Sequence, residues 1–204
     1  MLERRDDPPP GERPRHAQRL LGLCEELLGE AGLGWSDVER IGAGVGPGTF
    51  TGLRIGVAAA RSLAQATGAE LVAVSTLQTL ARGAASEAPG HSVLAVLDAR
   101  RGEAFAAAWS VAGERLAAPA ALDPGDLAAL LDPLHAPWLA AGDGAIRFRD
   151  RLEPALVDVP GDGSRVHLID AAALCGLAAS GETVDRDKLV PDYLRRPDAE
   201  IRRP

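Results

Sequence analysis

The residues with the clearest potential for chemistry form a short glycine-rich segment, GPGTFTG at residues 46–52. A buried strand, a glycine turn and a helix start in succession leave free N–H groups directed at one place, which predicts a cradle for an anion. Its residues would be Gly46, Gly48, Thr49 and Thr51. The segment is neither a Walker loop nor a dinucleotide fingerprint, because no Gly-Lys-Ser/Thr follows and the glycines have the wrong spacing. The alternative is a tight turn in which Thr49 or Thr51 caps the helix.

Signatures of a metal site or a nucleophile are weak. The histidines and cysteines form no H-x-x-x-H, H-E-x-x-H or C-x-x-C arrangement, so no metal site is predicted. No G-x-S-x-G elbow is present either. Asp98 follows a predicted strand, where it could hold a metal or a nucleotide phosphate. Residues 142–144 follow another and could form a loop near a nucleotide, although a plain turn explains both. We therefore predict no catalytic residue in this chain.

The charge balance limits the class of partner. The chain has 204 residues, with 22 Lys and Arg against 29 Asp and Glu, for a net charge of −7. This acidity argues against a protein that binds an RNA backbone alone, so any nucleic-acid role is shared with a partner. Two cysteines cannot build a disulfide framework, which indicates a reducing compartment. No segment is long and apolar enough for a membrane span or a signal peptide, so we expect a cytoplasmic protein.

The first predicted helix precedes the glycine-rich segment and covers residues 15–31, where apolar residues recur at helical spacing. Leu23 lies beyond the main apolar stripe and widens it, so this helix can cover a core on one side and another surface on the other. A capping box at residues 36–39 predicts a short turn of helix. A buried strand is predicted next, at residues 41–45.

The second predicted helix follows the segment, covers residues 52–67 and ends at Gly68. Four small residues at a spacing of four line one of its faces, which permits close approach of another backbone. They are Gly52, Gly56, Ala60 and Ala64. Arg54 and Arg61 share a helical face beside this stripe. They are either solvated or paired with carboxylates of a partner helix.

The rest of the chain alternates short strands with helices. Strands are predicted at residues 70–74, 92–97, 104–111, 115–118 and 137–141, and helices at residues 75–82, 124–131 and 171–180. The small and polar residues 83–90 predict a loop between lobes. This alternation predicts an α/β fold in two lobes, residues 1–88 and 89–204.

Several sequence blocks, in order along the chain, resemble the TsaB family. They are GVGPGTFTGLRIG at residues 44–56, ARSLA at 60–64, VAVSTL at 72–77, LDARRGE at 97–103 and YLRRPDAE at 193–200. The resemblance implies a fold of the sugar-kinase, Hsp70 and actin type. In that fold, each of two lobes is a mixed sheet flanked by helices.

The resemblance also implies a function. In the TsaB family, the protein has a role in forming threonylcarbamoyladenosine next to the anticodon of tRNAs that read codons beginning with A. It implies a non-catalytic scaffold that resembles a degenerate relative of the transferase TsaD, pairs with a TsaD-type subunit and is joined by a TsaE-type ATPase. The tRNA would contact this chain only indirectly. No cofactor is expected to bind firmly, and ATP or ADP would bind only in the complex.

The family pairs through its first two long helices, which correspond here to residues 15–31 and 52–67. The implied contact residues are His16, Leu20, Leu23, Leu27, Gly52, Arg54, Gly56, Ala60, Arg61 and Ala64. A homodimer through exposed apolar helices is an expectation when the partner is absent. The two metal-binding histidines of the catalytic relatives align with Thr76 and Leu80, neither of which can replace an imidazole on a transition metal.

One departure from the family pattern concerns the first strands. Relatives begin with a strand pair that carries an Asp-Thr loop, and this sequence lacks it ahead of its first helix. Because the first of those strands lies beside the strand predicted at residues 41–45, we expect an open hydrogen-bonding edge there. Two other functions stay open: a stand-alone nucleotide-binding hydrolase that uses residues 46–52, Asp98 and residues 142–144, and a metal-dependent M22-like peptidase.

Overall fold

The computed structural model describes residues 2–6, 16–155 and 157–195. The helices are α1 (His16–Ala31), α2 (Phe50–Thr67), α3 (Thr76–Glu87), α4 (Asp143–Arg147), α5 (Arg149–Leu152) and α6 (Ala171–Ser180). The strands are β1 (Arg40–Gly46), β2 (Glu70–Ser75), β3 (Ser92–Arg100), β4 (Glu103–Trp109), β5 (Arg115–Leu122), β6 (Trp138–Ala141), β7 (Val157–Asp158) and β8 (Thr183–Val184). None of the helices in this described part of the chain has both the length and the apolar character needed to cross a membrane.

The chain divides into two compact units that are interleaved along the sequence. The first unit contains the described residues up to Val45, together with Thr49–Val74 and Leu174–Pro191. The second unit contains Gly46–Gly48, Ser75–Ala173 and the described residues from Asp192 onward. Each unit has its own sheet with helices packed on it, which confirms the predicted α/β class.

The first unit is built on a three-stranded sheet in the order β1-β2-β8. Successive residues of β2 point to opposite faces of this sheet. Leu71 packs with Val57 and Ala64 of α2, whereas the next residue, Val72, packs with Ala178 of α6. Helices therefore cover both faces. Among the described strands β1 is outermost, at the edge that the resemblance predicted to be open.

The second unit is built on a five-stranded sheet in the order β5-β4-β3-β6-β7. The pairs β3-β4 and β4-β5 are antiparallel, while β3-β6 and β6-β7 are parallel. Val93 of β3 packs with Leu80 of α3 on one face, and Leu94 packs with Trp138 in a separate cluster. Since β3 and β6 run parallel, their carboxyl ends meet, and Asp98 lies beside the turn that follows β6.

Helix α3 is longer than the sequence predicted, and the loop predicted at residues 83–90 was wrong. The helix continues to Glu87 because Ala84 is fully buried in the same cluster as Leu80 and Val93. Small residues that were interpreted as loop-forming instead allow the helix to pack closely on the sheet. Residues 75–88, which the sequence-based division placed in the first lobe, therefore belong to the second unit.

One predicted cap was wrong, and one predicted helix has a different type. The first turn is a 3-10 helix, Trp35–Asp37, and it begins after Gly34, whose N–H donates to the Asp37 carboxylate over 2.8 Å. Ser36 is therefore not the cap. The segment Pro124–Leu130 is a 3-10 helix rather than an α-helix, although Asp123 caps it by accepting from the N–H of Gly125.

Candidate functional site

Helix α1 presents apolar side chains that its own unit does not bury. From residue 19 to residue 31 no side chain is buried. Leu20, Leu23 and Leu27 are half-buried, and Leu21 is 49% exposed. The helix begins at His16, whose side chain lies outside the described part of the structure. An amphipathic helix whose apolar face is only partly covered is typical of a protein-binding surface. We call the face formed by Leu20, Leu23 and Leu27 the α1 surface.

The predicted stripe of small residues on α2 lies in two different environments, one buried and one open. Ala60 and Ala64 are 6% and 8% exposed and lie in the core of the first unit with Leu71. Their small side chains therefore permit close packing of α2 on its own sheet. Ala60 and Ala64 are accordingly not part of a surface for a partner. Gly56 differs, because a Cβ added there would meet no atom within 4 Å.

Replacement of Gly56 by alanine tests this open position. We expect Gly56→Ala to raise the free energy of unfolding by about 1 kcal/mol, since alanine is the better helix former and no atom obstructs its methyl group. Thermal unfolding of the isolated chain measures this. The matched control is Gly52→Ala, whose Cβ would lie 2.7 Å from Oγ1 of Thr49. Equal stabilisation by both variants would contradict the assignment of Gly56 to an open face.

The glycine-rich segment forms a tight turn into α2. Oγ1 of Thr49 accepts the N–H of Gly52 over 3.3 Å, so Thr49 is the N-cap of α2. The helix ends at Gly68, which has a φ of 78° in the left-handed region, as predicted. The interpretation of Thr49 as a helix cap is thus confirmed. The anion cradle at Gly46, Gly48, Thr49 and Thr51 stays a prediction.

The two arginines predicted for the partner face make different contacts. The guanidinium carbon of Arg54 lies 3.7 Å from the centroid of the Phe50 ring, a cation–π contact. Nη2 of Arg61 lies 3.1 Å from Oδ1 of Asp187, in the segment that follows β8. Each arginine therefore has a contact within the first unit. The contact of Arg61 with Asp187 joins residues 126 positions apart in the sequence.

Asp98 is a buried carboxylate at the carboxyl end of β3. Its side chain is 4% exposed, and Oδ2 lies 2.9 Å from Nη1 of Arg100 and 2.8 Å from Nη1 of Arg147. Oδ1 accepts the backbone N–H of Arg100 over 2.9 Å. Burial acts to raise the pKa of Asp98, but the N–H of Arg100 and the two guanidinium groups outweigh it and lower the pKa below its usual value. Of the two interpretations of Asp98, the structure therefore favours the turn.

The lowered pKa gives Asp98 a pH-dependent effect on stability. A carboxyl group whose pKa is lower in the folded state stabilises the fold above its unfolded pKa of about 3.9, and that stability is lost as the pH falls through the folded pKa. We expect Asp98→Asn to cost about 1 to 3 kcal/mol at pH 7 and progressively less below about pH 4. Urea unfolding at both pH values measures the difference. A cost that is the same at both would contradict the ionised role of Asp98.

His167 was not assigned a role from the sequence and is structural. It is 7% exposed, its Nδ1 accepts the N–H of Gly142 over 3.2 Å, and its Nε2 lies 3.0 Å from the carbonyl oxygen of Pro160. Because Nδ1 accepts, Nε2 carries the proton and donates to Pro160. This histidine ties the turn after β6 to the segment after β7. Its partners, Gly142 and Pro160, lie away from it in the sequence, so no local pattern predicts these contacts.

The positions that align with metal-binding histidines lie at the start of α3. Thr76 is its first residue, and Leu80 is fully buried in the core of the second unit. Within the described ranges, no three His, Cys, Asp or Glu side chains lie together in a group that could hold a metal ion.

Comparisons with known proteins agree with the resemblance. The family model for tRNA N6-adenosine threonylcarbamoyltransferase, TsaD, matches residues 9–175. The chain is 32% identical to the tRNA threonylcarbamoyladenosine biosynthesis protein TsaB of Escherichia coli, over 88% of this chain and 80% of that protein. It is 28% identical to TsaB of Bacillus subtilis, over 93% and 84%.

Solved structures point the same way. YeaZ from Pseudomonas aeruginosa superposes with a TM-score of 0.76 at 33% identity, over 90% of this chain and 87% of that one. A second Pseudomonas aeruginosa structure, of a protein described as similar to the peptidase YeaZ, gives a TM-score of 0.77 at 35% identity. These neighbours and the two units, each with its own sheet, fit the predicted fold of the sugar-kinase, Hsp70 and actin type. The chain therefore belongs to the TsaB family, within the group of proteins that the TsaD family model describes.

Proposed function

We propose that this chain is a non-catalytic subunit in the formation of threonylcarbamoyladenosine next to the anticodon of tRNAs that read codons beginning with A. It acts in the cytoplasm as a scaffold that binds a TsaD-type transferase and, with it, a TsaE-type ATPase. The proposal is supported by the names of relatives that cover most of the chain, which are tRNA threonylcarbamoyladenosine biosynthesis proteins.

The observation that carries the scaffold role is the α1 surface. Leu20, Leu23 and Leu27 remain partly exposed in the isolated chain. Full burial of an exposed leucine contributes about 1.5 to 3 kcal/mol, so covering the remaining exposed part of these leucines contributes about 0.5 to 1 kcal/mol for each side chain. The same surface pairs two copies of the chain when the transferase is absent.

The non-catalytic part of the proposal is supported by α3. A metal ligand is replaced by Leu80, whose side chain lies in the apolar core of the second unit, where a charged metal would be poorly solvated. Thr76 cannot supply the missing imidazole. The chemistry is accordingly assigned to the TsaD-type subunit, and ATP or ADP binds only in the complex.

Reconstitution tests the proposal. The purified full chain is mixed with the TsaD-type and TsaE-type proteins of the same organism, and threonylcarbamoyladenosine is measured in tRNA with each protein left out in turn. We expect the chain to co-elute with the TsaD-type subunit, and modification to require it. Full modification without the chain, or ATP hydrolysis by the chain alone, would contradict a scaffold role.

A further inference from the structure

A basic groove runs along α2 in the first unit, beside the segment that follows β8. It has a volume of about 530 Å³, and its apolar lining residues are Val57, Ala58 and Pro191. The charged residues that line it are Arg54, Arg61, Arg186 and Asp187. Even without Arg54, two guanidinium groups and one carboxylate make this groove locally positive on a chain whose net charge is −7.

The charges in the groove are only partly neutralised. Asp187 lies 3.1 Å from Arg61, but its side chain is 88% exposed, so water weakens this pair. Arg54 is stacked on the Phe50 ring in a cation–π contact. Over residues 2–6, 16–155 and 157–195, no carboxylate forms an ion pair with Arg186. Arg186 therefore gives the groove a guanidinium charge that the described residues do not neutralise.

We propose that this groove binds an acidic segment of the TsaD-type subunit. One carboxylate of that segment displaces Asp187 from Arg61, and another pairs with Arg186. Asp187 thus pairs with Arg61 in the free chain and competes with the partner's carboxylate for it. The inference rests on the proposed function, and it extends the binding surface from α1 and α2 to the segment at residues 186–191.

The chemistry of the groove favours a protein segment over RNA. Guanidinium groups bind carboxylates with two parallel hydrogen bonds, and the contact of Arg61 with Asp187 shows that a carboxylate reaches this site. The apolar lining at Val57, Ala58 and Pro191 suits the aliphatic part of a peptide. An RNA backbone extends well beyond the groove, where the negative charge of the chain repels it. A short acidic peptide lies within about one Debye length of the groove, so its interaction is dominated by the local positive charge.

Two substitutions of opposite sign test the proposal on the full chain. Asp187→Asn removes the competitor, so we expect it to tighten binding to the TsaD-type subunit about two- to fivefold. Arg186→Glu reverses a charge in the groove and is expected to weaken binding by about tenfold or more. Both positions are exposed, so neither variant disturbs the core. Arg115→Glu is the matched control, at an exposed arginine of the second unit.

Isothermal titration calorimetry at low and high salt, together with filter binding of tRNA, separates the outcomes. The predicted pattern is opposite shifts for the two groove variants, an unchanged control and smaller differences at high salt. If the unaltered chain binds the subunit but neither groove variant changes its affinity, the groove proposal is overturned and the scaffold role stands. Weaker binding by Asp187→Asn, or an effect of Arg186→Glu on tRNA alone, also overturns it. If the unaltered chain does not bind the subunit at all, the proposed function fails as well.

Discussion

Replacement of Leu20 and Leu27 by aspartate is expected to abolish binding to the TsaD-type subunit while the isolated chain stays folded. Both side chains lie on the α1 surface and are only half-buried in the free chain. Loss of two such leucines, which are already largely covered in the free chain, removes about 1 to 2 kcal/mol, or a factor of about 5 to 30 in affinity. Burial of the added carboxylates without partners costs considerably more. Calorimetric titration and co-elution with the partner measure the loss.

The control for this experiment lies on the polar side of the same helix. Glu26→Gln changes a charge at an exposed position of α1 and is expected to leave both binding and circular dichroism unchanged. If the double leucine variant keeps its affinity, α1 is not part of the interface. If it loses its helical signal instead, its leucines contribute more to folding than their partial exposure indicates.

The largest expected loss of stability comes from Gly142→Ala. Gly142 has a φ of 106°, which alanine rarely adopts, and a Cβ there would lie 2.1 Å from the carbonyl oxygen of Val96 and 2.7 Å from Cδ2 of Leu80. Backbone strain and overpacking together should cost about 3 to 5 kcal/mol, much of the total for a domain of this size. We expect little soluble protein and a melting temperature that is lower by many degrees.

A glycine in open surroundings provides the comparison for Gly142. A Cβ added at Gly161 would meet no atom within 4 Å, and its φ is not in the left-handed region. Gly161→Ala should therefore change the melting temperature very little. Similar melting temperatures for the two variants would show that the turn after β6 does not approach Val96 as closely as described.

Periodic segments were predictable from the sequence because their residues report local geometry. The leucines of α1 recur at helical spacing, Thr49 precedes α2 as a cap, and Gly68 ends it. The partly covered α1 surface could be predicted for the same reason, since Leu23 widens the apolar face beyond one stripe. The motif blocks identified the family for a different reason, because they are long and ordered along the chain.

Features that depend on distant residues were not predictable. Nothing near Arg61 in the sequence indicates that Asp187 reaches it, and the two-residue strand β8 has no periodicity to detect. The stripe at Ala60 and Ala64 was interpreted as a surface for a partner, although it packs on the sheet of its own unit. Spacing along a helix shows which residues share a face, but only the tertiary structure shows what covers that face.

Because α1 is only partly buried, its stability depends on the concentration of a partner that binds it. Since no side chain from residue 19 to residue 31 is buried, local opening of α1 costs less free energy than opening of α2, which anchors Leu53 and Val57 in the core. A partner that binds only the folded helix raises the free energy of opening α1 by about 2.7 kcal/mol when its free concentration is about 100 times Kd. Protease cleavage within α1 should therefore slow as partner is added. The folded population of this helix is then set by the abundance of the protein that covers it.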